Sequence, residues 1–335
     1  MSLPPEPRAN PDLFGHEPAE KVLLEAARSG RMHHAWLLAG PPGIGKATLA
    51  YRFARWLLAG MPPTEGGLSL PATNATFRRV ASSGHADLRV LAPSAGEKGV
   101  KQIIRVDDVR EVPRFLSLTS AEGGPRVVVV DGVETMNPEA QNALLKTLEE
   151  PPARAVLLMV TSAPDRLLPT IRSRCRRLDL HALEPALMEG LLARWLPDLP
   201  EAQRRTLIGI ADGAPGQALT LAEGEGLALQ AEVDGFLASL PHPDPRALHT
   251  LGEMLASKRD GSALRTFLDL LRRALAQGLR EAGRGRAAPA WLGTRSLADW
   301  AGLWEMLGRL GDETETLNLD RKQAVLTGLN RLAMR

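Results

Sequence analysis

A glycine-rich segment, Gly40-Pro-Pro-Gly-Ile-Gly-Lys46, matches the first seven positions of the phosphate-loop pattern G-x-x-x-x-G-K. It follows an apolar run and opens a helical pattern. In that context glycines allow a tight loop whose N–H groups surround phosphates, and the helix N-terminus adds partial positive charge. The segment predicts a nucleotide-binding loop, with a glycine-rich turn that binds nothing as the alternative. The predicted contacts there are Gly40, Pro42, Gly43, Ile44, Gly45, Lys46, Ala47 and Thr48.

The residue after Lys46 departs from the pattern. A Ser or Thr at this position coordinates Mg²⁺, whereas the methyl group of Ala47 cannot. Thr48 lies about 100° further around the helix and is expected to point elsewhere. The sequence therefore predicts phosphate binding with weak or absent Mg²⁺, and it disfavours Mg²⁺-dependent hydrolysis.

A second acidic motif, Arg126-Val-Val-Val-Val-Asp131, is an apolar strand that ends in a carboxylate. Asp131 would hold Mg²⁺ through water, and an ATPase of this kind has Glu at the next position. Here that position is Gly132, and Glu134 could replace the missing acid only from a different direction. The alternative for Asp131 is a turn residue at a strand end. The two motifs together predict a nucleotide-binding fold that has lost, or nearly lost, hydrolysis.

The elements that must position these residues alternate along the first part of the chain. Near-continuous apolar runs are typical of strands in a parallel sheet covered on both faces. Helical patterns lie between them: Leu49, Phe53 and Leu57 recur after Lys46, and Asn137 with Pro138 makes a helix start. The α/β class follows. The predicted strands are 36–39, 88–91, 127–130 and 155–160.

Three regions divide the chain: a P-loop α/β domain at 1–180, a small helical domain at 181–226 and an all-helical domain at 227–335. A Pro/Gly/Ser/Thr-rich stretch at 60–86 predicts a long loop or insertion. The third region carries two apolar stripes. They are formed by Leu264, Phe267, Leu271 and Leu275, and by Leu297, Trp300, Trp304, Leu307 and Leu310.

Composition narrows the function classes. Of 335 residues, 41 are basic and 39 acidic, which argues against a strongly basic nucleic-acid sleeve. The single cysteine, Cys175, excludes an intramolecular disulfide and is expected to be a small buried residue. No signal peptide and no membrane span are recognised, so we expect a cytoplasmic protein without a membrane partner.

Three segments make the sequence similar to a known family: Asn142-Ala-Leu-Leu-Lys-Thr-Leu-Glu-Glu-Pro-Pro152, Leu168-Pro-Thr-Ile-Arg-Ser-Arg-Cys175 and His33-His34-Ala35. They resemble the bacterial clamp-loader family of AAA+ proteins over about the first 220 residues, and 318–323 adds support in the third region. The resemblance implies a RecA-like domain, a helical lid and a helical collar. The altered ATPase positions favour the delta-prime branch over the gamma/tau motor branch.

The resemblance also implies roles for individual residues. Ser173-Arg174-Cys175 carries an arginine finger in this family, so Arg174 is implied to act in trans at a neighbouring subunit's ATP site. Arg172 and Arg176 are rivals, and the alternative is a solvated surface without a partner. Ser162 aligns with the polar sensor-1 position, and Gln217 stands where motor subunits have the sensor-2 Arg.

Further expectations concern cofactors and structural residues. Many relatives carry a cysteine-based zinc module, but the stretch 60–86 has no cysteine, and His85 alone cannot replace it, so we expect no zinc. ATP or ADP is expected at the degenerate loop. The His33-His34 pair is expected to be structural. Trp300 and Trp304 could serve either the core or contacts between subunits.

The implied function is that of a stator subunit in the clamp loader of DNA polymerase III, a nucleotidyltransferase holoenzyme. The complex uses ATP to load a sliding clamp onto primed DNA during replication. Its partners would be gamma/tau motor subunits and a delta subunit. The alternatives are an ATP-hydrolysing motor subunit of the same complex, a P-loop phosphotransferase, or a helicase-loading or recombination AAA+ protein.

Overall fold

The computed structural model describes residues 3–63, 67–93, 103–258, 261–286, 288–317 and 319–334. The chain forms two compact units, the first from 1–204 and 211–217 and the second from 205–210 and 218–335. The three domain boundaries predicted from the sequence stay a prediction. Asn318 of the clamp-loader resemblance and residues 64–66 of the predicted loop lie outside the described residues.

Strands and helices alternate in the first unit, and helices alone make up the described part of the second. The strands are β1 (Ala35–Ala39), β2 (Leu88–Leu91), β3 (Arg126–Asp131), β4 (Ala155–Thr161) and β5 (Arg176–Asp179). The helices are α1 (Glu17–Arg28), α2 (Lys46–Leu58), α3 (Ala75–Ala81), α4 (Val106–Arg110), α5 (Val112–Ser117), α6 (Pro138–Glu149), α7 (Pro169–Ser173), α8 (Pro185–Trp195), α9 (Glu201–Ala211), α10 (Pro215–Glu223), α11 (Gly226–Ser239), α12 (Pro245–Ser257), α13 (Ser262–Gly283), α14 (Leu297–Thr316) and α15 (Arg321–Ala333).

The five strands form one parallel sheet in the order β2-β3-β4-β1-β5. Because side chains alternate along a strand, β3 supplies both faces: Val127 and Val129 pack on the α1 and α2 side, Val128 and Val130 on the α4 to α6 side. The predicted α/β class and parallel sheet are confirmed. The prediction that β2 is buried is wrong, because β2 is an edge strand and Val90 is 38% exposed.

The strand β5 was not predicted from the sequence. Its residues, Arg-Arg-Leu-Asp, contain one apolar side chain, so they lack the signal of a buried strand. Residues 176–179 nevertheless pair in parallel with 36–39. The strand lies at the edge of the sheet, where polar side chains reach solvent, and the guanidinium of Arg176 lies 4.8 Å from the ring centre of Trp36.

Both predicted helices of the first unit are confirmed. Leu49, Phe53 and Leu57 are fully buried on α2. In α6 the Asn137 side chain accepts a hydrogen bond from the Ala140 N–H at 2.8 Å, as expected of an N-cap residue. These helices bring the phosphate loop and the segment after β3 to the same sheet.

The loop prediction for 60–86 is wrong over 75–81, which form α3. Asn74 caps this helix by accepting from the N–H groups of Thr76 and Phe77. Phe77 is buried, and the guanidinium of Arg55 lies 4.4 Å from its ring centre. A helix of seven residues has little stability by itself, so capping and packing decide its formation.

In the second unit, the predicted stripe on α13 is buried along its length. The α14 stripe is buried only in part: Trp300 and Leu307 are in the core, whereas Leu297 is 46% exposed. The indole of Trp300 donates to the Leu292 carbonyl and that of Trp304 to the Arg272 carbonyl, both at 3.0 Å. A role of these rings in subunit contacts stays a prediction. Within the described ranges, no helix is long and apolar enough to cross a membrane.

Candidate nucleotide loop and exposed arginine

The phosphate loop connects β1 to α2, as the sequence predicts, and runs over residues 40–45. At Gly43 the backbone has φ +77°, and a Cβ atom would lie 2.7 Å from the backbone nitrogen of Gln217. The Gly216 N–H donates to the Gly43 carbonyl at 2.8 Å. The structure therefore brings the backbone at the start of α10 onto the loop, and glycine at position 43 allows this approach.

Lys46 is 5% exposed and makes three contacts inside its own chain. Its ammonium donates to the carbonyls of Gly40 at 2.8 Å and Pro41 at 2.5 Å and to the Ser162 hydroxyl at 3.0 Å. An ammonium has three N–H donors, so all of them are in use. Burial lowers the pKa of Lys46 to about 8, although the carboxylates of Glu134 and Asp131 act in the opposite direction.

The predicted sensor residue Ser162 connects Lys46 to an acidic side chain. Its backbone N–H donates to Oε1 of Glu134 at 2.9 Å. Burial raises the pKa of Asp131, Lys46 lowers it, and Glu134 raises it further. The structure thus places Lys46, Ser162, Asp131 and Glu134 in one electrostatic group at the carboxyl ends of β3 and β4. Glu134 accepts this hydrogen bond from Ser162, and its difference in direction from an acid directly after Asp131 stays a prediction.

The donor set does not fit Mg²⁺. Ala47 offers a methyl group after Lys46, and Thr48 is buried on α2. Among the residues that the structure describes, no three His, Cys, Asp or Glu side chains come together as metal ligands. A triphosphate would in addition have to displace Lys46 from the loop carbonyls. Pro42, Gly45 and Ile44 occupy the predicted loop, but their nucleotide contacts stay a prediction, as does the expected lack of zinc.

His16 is a site residue that sequence reasoning missed. It immediately precedes α1, is buried, and donates from Nε2 to the Ile44 carbonyl at 2.6 Å. Burial lowers its pKa, so the ring is neutral at pH 7. A histidine before a helix start is visible in the sequence, but its contact with a loop 28 residues away is not.

Arg174 directly follows α7, and it makes no contact with the phosphate loop among the hydrogen bonds and ion pairs of the described residues. Its guanidinium pairs with Oε1 of Glu149 at 2.8 Å and donates to the Thr170 carbonyl at 3.0 Å, while 36% of the side chain stays exposed. Arg172 has similar surroundings, because it is partly exposed and pairs with Asp165 at 3.2 Å, whereas Arg176 stacks on Trp36. Arg174 is therefore a partly exposed cation held by one carboxylate.

The structure also gives the contacts of Cys175 and of the His33-His34 pair. The Cys175 thiol donates to the Ile171 carbonyl at 3.0 Å, and burial raises its pKa to about 12, which makes it a poor nucleophile. The rings of His33 and His34 stack at 4.4 Å, and His34 donates to the Leu148 carbonyl at 3.0 Å. The pair thereby connects the start of β1 to the end of α6.

Comparison with known proteins identifies relatives. A family model described as "DNA polymerase III, delta subunit" matches residues 15–184. The DNA polymerase III subunit delta' of Pseudomonas aeruginosa is 41% identical over 182 residues, covering 54% of this chain and 53% of that protein. The delta' subunit of Escherichia coli K12 is 36% identical over 273 residues, covering 76% and 78%. The chain thus spans about half of the first relative and most of the second.

More distant matches include a gamma/tau subunit and a solved structure. The DNA polymerase III subunit gamma/tau of Mycobacterium tuberculosis H37Rv is 31% identical and covers 56% of this chain and 31% of its own length. A gamma subunit-related protein of Thermotoga maritima aligns with TM-score 0.47 at 19% identity, covering 93% of this chain and 98% of that one. The family match over the phosphate loop, the Asp131 strand and the Arg174 segment is decisive, and the chain belongs to the family of DNA polymerase III delta' subunits.

Proposed function

We propose that this chain is a stator subunit of a bacterial clamp loader, in which it supplies Arg174 to the ATP site of a neighbouring motor subunit. The complex loads a sliding clamp onto primed DNA and contains gamma/tau and delta subunits. The observation that carries the proposal is the family match, which covers the Ser-Arg-Cys segment at 173–175, and it is supported by the partly exposed guanidinium of Arg174, which pairs with Glu149.

Chemistry supports a role in trans. A guanidinium presents several N–H donors in a planar fork and can contact γ-phosphate oxygens while charge develops on them. A surface pair such as Arg174 with Glu149 contributes at most about 1 kcal/mol, so a phosphate on another subunit can compete for the arginine. Arg176 is less suited, since it lies on the ring of Trp36. Arg172 resembles Arg174 in exposure and in having one carboxylate partner, so the choice of Arg174 rests on its place in the Ser-Arg-Cys segment.

The second part of the proposal is that the chain's own phosphate loop binds nucleotide weakly and does not hydrolyse it. ATP or ADP would bind weakly at residues 40–48, because a phosphate must replace the contacts of Lys46 with Gly40 and Pro41. Turnover is not expected, since Ala47 lacks the metal-binding hydroxyl and Gly132 lacks the acid that orients water. The division into RecA-like domain, lid and collar at 1–180, 181–226 and 227–335 is part of the same proposal.

The test is ATP hydrolysis by the reconstituted complex with clamp and primed DNA. Arg174→Ala is expected to lower the rate by about 10³-fold, as loss of an arginine finger does. Lys46→Ala in the same complex is the matched control, and we expect a change below about threefold, because its site does not turn over. Assembly is checked by mass measurement of both complexes.

Two results would contradict the proposal. An unchanged rate with Arg174→Ala removes the assignment of that residue. ATP hydrolysis by the isolated chain at about 1 s⁻¹ would instead identify a motor subunit, because that rate lies within the range of ordinary enzymes.

A further inference from the structure

The structure contains a groove away from the phosphate loop, along the outer edge of β2. Its cavity volume is about 500 Å³. Its lining includes residues 88–92, which contain all of β2. Side chains from other segments complete the lining, among them Arg8, Ser83, Ile104 and Asp108. A ligand in the groove would therefore lie beside β2.

Within the described residues, the backbone of β2 has no strand partner on the side of this groove. Val127 N–H donates to the Asp87 carbonyl at 2.9 Å, and Leu88 lies opposite Val127 in the parallel pair. Alternate residues of a parallel strand bond to the neighbour, so Arg89 faces β3 with its backbone while Val90 faces outward. The Leu88 N–H already donates to the His85 carbonyl. Among the described residues, both backbone groups of Val90 lack a strand partner.

The side chains of the groove favour an acidic ligand. Arg89 lines it and has no hydrogen bond or ion pair within the described ranges. His85 accepts from the Asp87 N–H through Nδ1, which leaves its proton on Nε2, and this fully buried atom lies 3.8 Å from the Glu122 carboxylate of the same chain, so it is not available to a ligand. Arg8 pairs with Glu6 and donates to Ser83. The unpaired guanidinium of Arg89 suits a carboxylate, although Asp108 also lines the groove.

We propose that the edge of β2 binds an extended acidic peptide of another protein by adding it as a strand to the sheet. Backbone hydrogen bonds to Val90 give affinity, and alternate side chains of the peptide enter the groove, where an acidic one meets Arg89. Val80, Leu91 and Ile104 provide apolar contacts. A nucleic-acid strand fits less well, because its bases need aromatic stacking faces and Tyr51 is buried. The proposal does not depend on the clamp-loader function.

The experiment is selection of a random octapeptide display library on the full chain, followed by affinity measurement with the selected peptide. We expect Glu or Asp in one alternating frame. Arg89→Glu should weaken binding about tenfold or more, whereas Arg78→Glu, an exposed arginine of α3 outside the groove, should not change it. Val90→Pro removes the outward N–H and should weaken binding about tenfold, while Val90→Thr keeps the N–H and the affinity.

Hydrogen exchange of the Val90 amide gives an independent measurement without substitution. Fast exchange in the free chain and slow exchange with the peptide are expected. No enrichment of acidic peptides, equal loss with Arg89→Glu and Arg78→Glu, or slow exchange at Val90 in the free chain would overturn the proposal. Arg89-dependent binding of oligothymidylate without peptide selection would also overturn it, in favour of nucleic acid.

Discussion

Lys46 and Arg174 are two cations of the same α/β unit, and their surroundings differ. Lys46 is 5% exposed and directs all three donors to acceptors of its own chain. Arg174 keeps 36% of its side chain exposed and has one carboxylate partner. The first cation holds a loop together, and the second can reach another molecule.

This difference agrees with the proposed roles of the two cations. Ala47 and Gly132 lack the metal-binding hydroxyl and the water-orienting acid, and the buried lysine is bonded to carbonyls and a hydroxyl of its own chain. Arg174 directly follows α7 and does not take part in these contacts. Four substitutions test this contrast between cations bonded inside the chain and the partly exposed Arg174.

The largest effect is expected at Arg126, a third cation that is entirely internal. Its guanidinium lies 3.3 Å from the buried Asp87 carboxylate and donates to the carbonyls of Phe115 and Thr119. Burial alone would raise the pKa of Asp87, but hydrogen bonds from Ala121, Ser120 and Glu122 and the charge of Arg126 hold it below the usual value.

Arg126→Met should therefore lower the free energy of unfolding by about 3–5 kcal/mol, because it leaves a buried carboxylate without its cation. Urea unfolding of the chain measures this. Arg154→Met is the control, since this exposed arginine donates only to the Gly123 carbonyl among its described contacts. A cost below about 1 kcal/mol would show that internal and surface cations do not differ in this protein.

Arg174→Lys examines the chemistry of the available cation. Lysine keeps the charge but not the planar fork of donors. We expect ATP hydrolysis by the reconstituted complex to fall about 10²-fold, with the stability of the chain unchanged within about 0.5 kcal/mol. Full activity with lysine would reduce the role of Arg174 to charge alone.

Lys46→Met tests the internal cation through pH. The folded state has a pKa of about 8 at Lys46, below the ordinary value of 10.5, so the unfolded chain holds this proton more tightly. Between pH 8 and pH 10 the unfolded state binds more protons, and the stability contributed by this site rises with pH.

The wild-type chain should gain on the order of 1 kcal/mol per pH unit over that window relative to Lys46→Met. The relative stability should be flat below pH 8. Urea unfolding at each pH measures the difference. The window ends near the ordinary lysine value of 10.5, above which the lysine of the unfolded chain has also lost its proton. Parallel curves for the two chains would contradict the burial of the ammonium.

The smallest effect is expected at Glu149. Glu149→Gln removes the carboxylate that holds Arg174 but keeps the size of the side chain. The free energy of unfolding should change by less than about 1 kcal/mol, as for other exposed ion pairs. ATP hydrolysis by the complex should change by less than about threefold. A large loss of activity would mean that the Glu149 carboxylate holds Arg174 in the position needed for ATP hydrolysis.

Local sequence patterns predicted much of the fold. The apolar runs of β1, β3 and β4 and the cap of α6 were recognisable because burial and capping leave periodic signals. The strand β5 and the helix α3 were not, since one is polar at a sheet edge and the other is short and depends on the Arg55 contact with Phe77. Among the site residues, Lys46, Ser162 and Asp131 do come together, whereas their nucleotide contacts and the role of Arg174 stay predictions.

The sequence by itself determined which chemistry is missing, because a methyl group at Ala47 and a hydrogen at Gly132 cannot ligate a metal or orient water wherever they lie. Only the tertiary structure decided that Lys46 bonds to Ser162, that Gly216 reaches Gly43, that His16 supports Ile44 and that Glu149 holds Arg174. Each of these contacts joins residues far apart in the chain. Packing of the sheet and its helices brings them together, and no local pattern encodes that packing.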